Sequence, residues 1–377
     1  MRLPSLRRIL AMTLKELVQM RRDRLTFGMM LGVPVMQLLL FGYAINTDPK
    51  ALPTALFVRD PSVFARSFVA ALENSAYFRI VGSVTSEAEA DAVLARGDAM
   101  FVVTVPENFA RDLVRGTRPD LLVEVDATDP VAAGNALSAL DQLARTSLAR
   151  DLTGPLADLA PGEPPFTLIR HSRWNPERIT AYNVVPGLLG VILTMTMVLM
   201  TALAVTRETE RGTMENLLAM PLRPIEVMLG KIAPYIAVGY VQVAVVLLAA
   251  RLLFGVPMLG SLPLLLTALL AFIAANLAVG FTFSTLARNQ LQAMQLTFFF
   301  FLPSILLSGF MFPFAGMPAW AQVVGEALPL THFLRLVRGV MLKGNGAAEV
   351  WQHVWPLLLF MTVVSAIALR RYRRTLD

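Results

Sequence analysis

Residues 207–221 read Arg-Glu-Thr-Glu-Arg-Gly-Thr-Met-Glu-Asn-Leu-Leu-Ala-Met-Pro, a densely charged segment wedged between two uncharged runs long enough to cross a bilayer. A plain turn between membrane helices needs only a few polar residues. This segment carries five charges and then sets Met214, Leu217 and Leu218 at helical spacing. That is the pattern of a short amphipathic helix lying along the membrane face or docking into a partner.

Outward from this segment the chain is 55% hydrophobic and 16% charged. Its uncharged windows are Leu25 to Ile45, Val184 to Thr206, Ile232 to Ala250, Leu252 to Ala287, Asn289 to Gly325 and Val350 to Leu369. Each reaches roughly the length that a helix needs to span the hydrocarbon core. The fold class expected is a polytopic α-helical membrane protein with six transmembrane helices and an inserted extracytoplasmic α/β domain. Two windows are long enough to hide a second crossing, but prolines and glycines interrupt both, from Gly255 to Pro263 and from Pro303 to Pro318. The first interruption is read as a loop. The second is read as a re-entrant segment packed inside the bundle, where its backbone groups can be paired.

Basic residues in short loops set the orientation. They cluster before the first span, after the second (Arg207, Arg211, Arg223, Lys231), after the fourth (Arg288) and at the end of the chain. With six spans these groups share one side, so both termini of a multi-pass membrane protein are expected in the cytoplasm. The opposite short loops hold Arg251 and the set Arg335, Arg338 and Lys343. Between Asn46 and Asn183 there are 13 basic and 18 acidic residues, a net of −5 against +6 for the chain. The basicity is therefore topological and not a nucleic-acid-binding face. There is no cysteine, hence no disulfide framework or thiolate metal site. The basic leader is too long and the apolar run that follows it too extended for a cleaved signal peptide, so an uncleaved first span is expected.

The domains expected are a cytoplasmic amphipathic interfacial helix (1–24), the first span (25–45), the extracytoplasmic α/β domain (46–183) and the remaining five spans (184–377). The last part contains the charged loop 207–231 and a re-entrant segment at 312–343. Within the α/β domain, strands are expected at Thr54 to Val58, Phe78 to Val84, Ala99 to Val105, Leu121 to Val125 and Phe166 to His171. Helices are expected at Phe64 to Asn74, Ser86 to Arg96, Glu107 to Arg115 and Pro130 to Leu152. Ser86 with Glu89 forms a capping box. Gly154 to Pro165, with six prolines and glycines, reads as a surface loop.

No Asp, Glu, Lys or Arg falls inside the assigned spans, which argues against a carrier driven by its own proton relay. The chain has no phosphate-binding G-x-x-x-x-G-K-[ST] loop. His171, His332 and His353 lack metal-ligand spacing, and neither a nucleophile elbow nor a paired-carboxylate signature is apparent. An enzyme active site is not expected.

Three motifs carry a family resemblance. The segment Glu208 to Lys231, ETERGTMENLLAMPLRPIEVMLGK, resembles the cytoplasmic loop of type-2 ATP-binding-cassette (ABC) transporter permeases. Pro329 to Gly339, PLTHFLRLVRG, is similar to the external stretch before their last span. Lys15, Glu16, Arg21, Arg22 and Asp23 are similar to part of their N-terminal interfacial helix. Ala219-Met220 before Pro221 departs from relatives that carry a hydroxyl residue there. The resemblance implies the permease subunit of an ATP-driven exporter of drugs or other amphipathic substrates, in the drug-export-like branch with a large external domain after the first span. ATP and Mg would sit on separate ABC ATPase subunits. A second permease copy or paralogue, a periplasmic adaptor and membrane lipids are the other partners implied.

In that reading Glu208, Glu210, Arg211 and Glu215 form a mixed-charge face toward the ATPase, while Gly212 breaks the span and Thr213 caps the coupling helix. Headgroup anchoring would call for basic residues instead of three glutamates. Pro329, Thr331, Arg335 and Arg338 are candidates for an external gate. The two arginines either snorkel at the interface or line the exit and meet an anionic or amphipathic substrate. The rival from another class is a membrane-anchored sensor or scaffold whose external domain binds a ligand or periplasmic partner, for which a single anchor would suffice.

Overall fold

The structure is a computed structural model that describes residues 49–159, 164–177, 179–210 and 224–374. The expected interfacial helix with Lys15, Glu16, Arg21, Arg22 and Asp23, the first span, and Arg211, Gly212, Thr213 and Glu215 lie outside the described residues.

Residues 49–175 build one mixed sheet from β1 (Leu52–Val58), β2 (Phe78–Ser83), β3 (Phe101–Val105), β4 (Asp120–Asp126) and β5 (Thr167–Arg173), in the order β2-β1-β3-β4-β5. Only β3 and β4 pair antiparallel. The central strand β3 is buried at nearly every position, the expected pattern for a strand covered on both faces. Helices α1 (Val63–Asn74), α3 (Phe109–Val114) and α4 (Pro130–Thr146) cover one face. There Phe166 meets Phe68 and Phe109 edge to face, at 5.3 and 5.8 Å. Helix α2 (Glu87–Arg96) covers the other, where Ala90 and Leu94 pack on Ala55, Phe57 and Val102. The expected cap of α2 is present: Ser86 accepts from the Glu89 N–H, and Glu89 reaches back to the Thr85 N–H at 2.7 Å.

Two expected helices are shorter than their sequence pattern. Helix α3 starts at Phe109, because Asn108 takes a left-handed conformation (φ 62°) that breaks any turn begun at Glu107. Helix α4 stops at Thr146 and not Leu152, since the bonds Ala149 N–H to Thr146 O and Asp151 N–H to Leu148 O tighten the chain into three-residue turns.

The second half forms a helical bundle. Among the described residues, five helices are long and apolar enough to cross a membrane: α5 (Thr180–Glu210), α6 (Pro224–Phe254), α7 (Leu262–Leu286), α8 (Gln290–Leu307), and the last helix, Ala347–Arg374. Between α8 and the last helix lie α9 (Ala319–Glu326), α10 (Pro329–Arg338) and a wide π turn, Gly339–Lys343; Ala347–Arg374 is therefore α11. Helix α7 is the axis. It packs on α5, α6 and α11, and 72% of its most apolar stretch is buried, against 11% for α11. Helix α6 begins at Pro224, so residues 224–231, expected in the charged loop, have helical backbone. Proline suits a first helical turn, where its missing N–H has no partner to lose. At its other end α6 runs on to Phe254, which puts Arg251 in its last turn and not in a loop. A cation is favoured at that terminus. Pro303 lies within α8 and does not end it.

Close packing dictates small residues along α7. A Cβ on Gly280 would sit 2.5 Å from the Val198 carbonyl oxygen of α5, whereas one on Gly134, inside α4, would meet nothing within 4 Å. Gly280→Ala should therefore destabilise the protein by about 1–3 kcal/mol through overpacking. Gly134→Ala should stabilise it by about 0.5–1 kcal/mol by removing chain freedom. Thermal unfolding in detergent reads both, and equal melting temperatures for the two variants would contradict this packing.

Candidate functional site

The segment from Pro329 to Lys343 is held by pairing of its polar groups. Pro329 opens α10. Thr331 Oγ1 donates to the Gly325 carbonyl at 2.6 Å and His332 Nε2 lies 2.8 Å from the Glu326 carbonyl, so both satisfy the exposed end of α9. The apolar face of α10 enters the bundle, where Phe333 stacks on Phe272 of α7 at 4.2 Å. The π turn is closed by the loop between α6 and α7: Leu259 N–H bonds to Met341 O, and Gly260 N–H to Val340 O, both at 3.0 Å. A side chain on Gly260 would strike that carbonyl, with its Cβ only 2.6 Å away. The interruption at Gly255 to Pro263 and the end of the segment read as re-entrant (312–343) are thus paired backbone to backbone.

The candidate gate residues divide. Pro329 and Thr331 shape the α9–α10 corner. Arg335 forms a two-pronged pair with Glu326 (2.6 and 3.1 Å) and lies over the Phe314 ring at 4.7 Å. Arg338 is half-buried, and its Nη1 points at the Gly309 carbonyl at 3.4 Å. Gly309 holds φ 86° at the end of α8, a conformation that favours glycine.

Lys343 ends the π turn and crosses to the α/β domain. Its Nζ lies 2.5 Å from Asp126 Oδ2 and 3.1 Å from the Leu94 carbonyl, and it sits 4.8 Å from the Trp174 ring centre. The Lys343 and Asp126 side chains are 9% and 13% exposed. Next to it Asn345 Nδ2 donates to the Ala95 carbonyl. Both carbonyls belong to the last turn of α2, whose partial negative charge favours a cation. Trp174 is bulky yet left-handed (φ 64°), an uncommon conformation that brings its ring under Lys343. Asn175, fully buried, fixes the next corner by bonding both the N–H and the carbonyl of Ile179 just before α5. Arg173 ties β5 to Glu124 and to Asp91 of α2. Between these elements lies a cavity of about 760 Å³, lined by Asp126, Asp129, Phe314, Arg335, Arg338 and Lys343 among others.

The sequence marked Lys343 only as an external basic residue and missed Asp126, Trp174, Asn345 and Glu326 altogether. The bonds of Lys343 to Asp126 and of Asn345 to Ala95 span more than 200 residues of chain, and no local pattern reports them.

At the far end of α5, Glu208 ends the described helix together with Glu210. Glu210 accepts hydrogen bonds from the Gln290 side chain (2.5 Å) and backbone N–H (2.7 Å) at the start of α8. Bonding to Gln290 holds its carboxyl below the usual carboxylate range. Asn289 caps α8 through the Gln292 N–H, and Gln292 reaches back to the Arg288 N–H. Glu210 therefore clamps the entrance of the charged loop to the α7–α8 corner.

The chain belongs to the ABC-2 family transporter proteins, whose family model matches residues 24–370. It is 29% identical over 383 residues to the probable multidrug ABC transporter permease YbhS of Escherichia coli K12, covering 99% of this chain and 98% of that protein. It is 27% identical to the probable multidrug ABC transporter permease YbhR, covering 96% of each chain. It is 31% identical to the inner membrane transport permease YhhJ, covering 76% of each; both are also from Escherichia coli K12.

The buried pair gives a direct test of the junction. Lys343→Met leaves the Asp126 carboxylate uncompensated and should cost about 3 kcal/mol, while Lys343→Met with Asp126→Asn should recover at least half of that loss. Denaturation of the full-length variants in detergent checks this, and purely additive losses would mean that the two residues do not act as a pair.

Proposed function

We propose that this permease is the membrane half of an ATP-driven exporter, with hydrolysis on separate ABC ATPase subunits that dock on the loop 207–231 and the N-terminal helix. The observation that carries this is the Glu210–Gln290 clamp. A displacement of the segment after Glu210 moves the ends of α5 and α8 together, and both helices pack on each other. Arg211, Gly212, Thr213 and Glu215 follow this clamp directly in the chain and supply the face that the ATPase grips.

The rest of the reading follows from charge and exposure. The basic clusters support six spans with both termini in the cytoplasm and the α/β domain outside it, and the name of the Escherichia coli relative YhhJ supports a bacterial inner membrane. The apolar outer faces of α6 and α11, which carry Val241, Val245, Leu248, Leu359 and Val363, suit lipid and a second permease copy or paralogue. The names of YbhS and YbhR support multidrug efflux, hence amphipathic substrates. The α/β domain, tied to the bundle by Lys343, offers a surface for a periplasmic adaptor.

Two experiments test this. Reporters after Asp377 and near Gly162 should read cytoplasmic and external respectively. Glu215→Lys and Glu210→Lys should each reduce transport and ATPase stimulation without loss of protein, since exposed loop changes usually stay within about 0.5 kcal/mol. Glu210→Gln, which keeps an acceptor for Gln290, should be milder. Normal transport in the double reversal would exclude this loop as the coupling interface.

A further inference from the structure

The cavity at the junction holds a cation whose bonding is incomplete. Arg338 is half-buried, and among the described residues it keeps only the long contact from Nη1 to the Gly309 carbonyl. Its Nε and Nη2 are shielded from solvent and have no hydrogen-bond partner among the described residues. Guanidinium N–H groups held away from water without acceptors are costly to leave unpaired, and a bound acceptor would relieve that cost.

The carboxylates on the same wall already have bonds. Asp126 accepts from Lys343 on one oxygen and from Thr128 on the other, Asp129 accepts from Asn183, and Asp98 pairs with Arg96. Of the charged side chains lining the cavity, six are basic (Lys50, Arg79, Arg96, Arg335, Arg338, Lys343) and three are these acids. The balance is a net positive wall. Beside the cations lie Met100, Pro313, Phe314 and Met317, so the same space presents an apolar surface. Its volume, about 760 Å³, falls in the range of small-molecule sites.

We propose that this cavity binds an oxyanion, carboxylate or phosphate, carried on an apolar body, with Arg338 as the anchor of the anionic group. A planar guanidinium with two N–H groups to spare matches the two oxygens of such a group. Phe314, Met100 and Met317 take the apolar part. The proposal concerns binding alone and stands whichever way the permease transports, so its failure and that of the export reading are told apart.

The test uses full-length protein in a neutral maltoside detergent, titrated by calorimetry with decyl phosphate, decyltrimethylammonium and inorganic phosphate. Decyl phosphate should bind at least about tenfold more tightly than either control, the scale of one charge-assisted pair. Arg338→Gln should lose about that factor, and Arg338→Lys should keep part of it. Gln352→Glu adds a carboxylate to the wall without touching Arg338 and should also weaken binding, which keeps the test valid if Arg338→Gln fails to fold. In phosphatidylcholine nanodiscs, competition by added phosphatidylglycerol would identify the anion as a lipid headgroup, and its absence would identify a soluble amphiphile; either outcome supports the site. Equal binding of the phosphate and ammonium amphiphiles, binding of inorganic phosphate as tight as decyl phosphate, or unchanged affinity in both Arg338→Gln and Gln352→Glu would overturn it.

Discussion

Backbone that leaves the helical pattern inside an apolar bundle must find its hydrogen bonds within the protein, and each buried group left alone costs about 1–3 kcal/mol. Most of this architecture follows from how residues 255–261 and 309–346 meet that demand. The loop between α6 and α7 donates to the π turn, Thr331 and His332 cap α9, and Gly309 turns the chain after α8. The exchange pins α10 against α7, where Phe333 and Phe272 stack. With α10 fixed, the π turn projects Lys343 out of the bundle and into the last turn of α2.

The α/β domain is consequently docked and not merely tethered. Among the described residues helix α2 is the one helix on its face of the sheet, and its carbonyl end meets Lys343 and Asn345. Arg173, Trp174 and Asn175 turn the edge strand into α5 within a few residues. A shift of the domain therefore reaches α5 and α10 together. At the opposite end of α5, Glu210 joins α5 to α8, so one helix carries both the domain junction and the loop clamp.

What the sequence revealed depended on the range of each interaction. Strands β1 to β5 and helix α2 with its Ser86–Glu89 cap were legible because alternation and capping are local. The apolar windows marked all five described spans for the same reason. Boundaries failed where geometry overrides composition: the left-handed Asn108 shortened α3, and Pro224 started α6 inside a stretch that reads as loop. Within the candidate site, Pro329, Thr331, Arg335 and Arg338 stood out as a motif, but their partners did not. Glu326, Asp126 and Gln290 look like ordinary surface residues until folding brings them to Arg335, Lys343 and Glu210. Glu210 shows the limit most clearly. Its charge pointed to a partner protein, and the structure gives its carboxylate to Gln290.

Under the proposed function this chain supplies the path and the clamp while a separate chain supplies the energy. The most direct measurement reconstitutes the purified permease in liposomes, with and without a candidate ABC ATPase subunit, and follows ATP hydrolysis and the movement of an amphipathic dye. The account predicts neither activity from the permease alone and both from the complex, with dye movement abolished when hydrolysis is blocked. Hydrolysis by the permease alone, or dye movement at full rate without ATP, would contradict it.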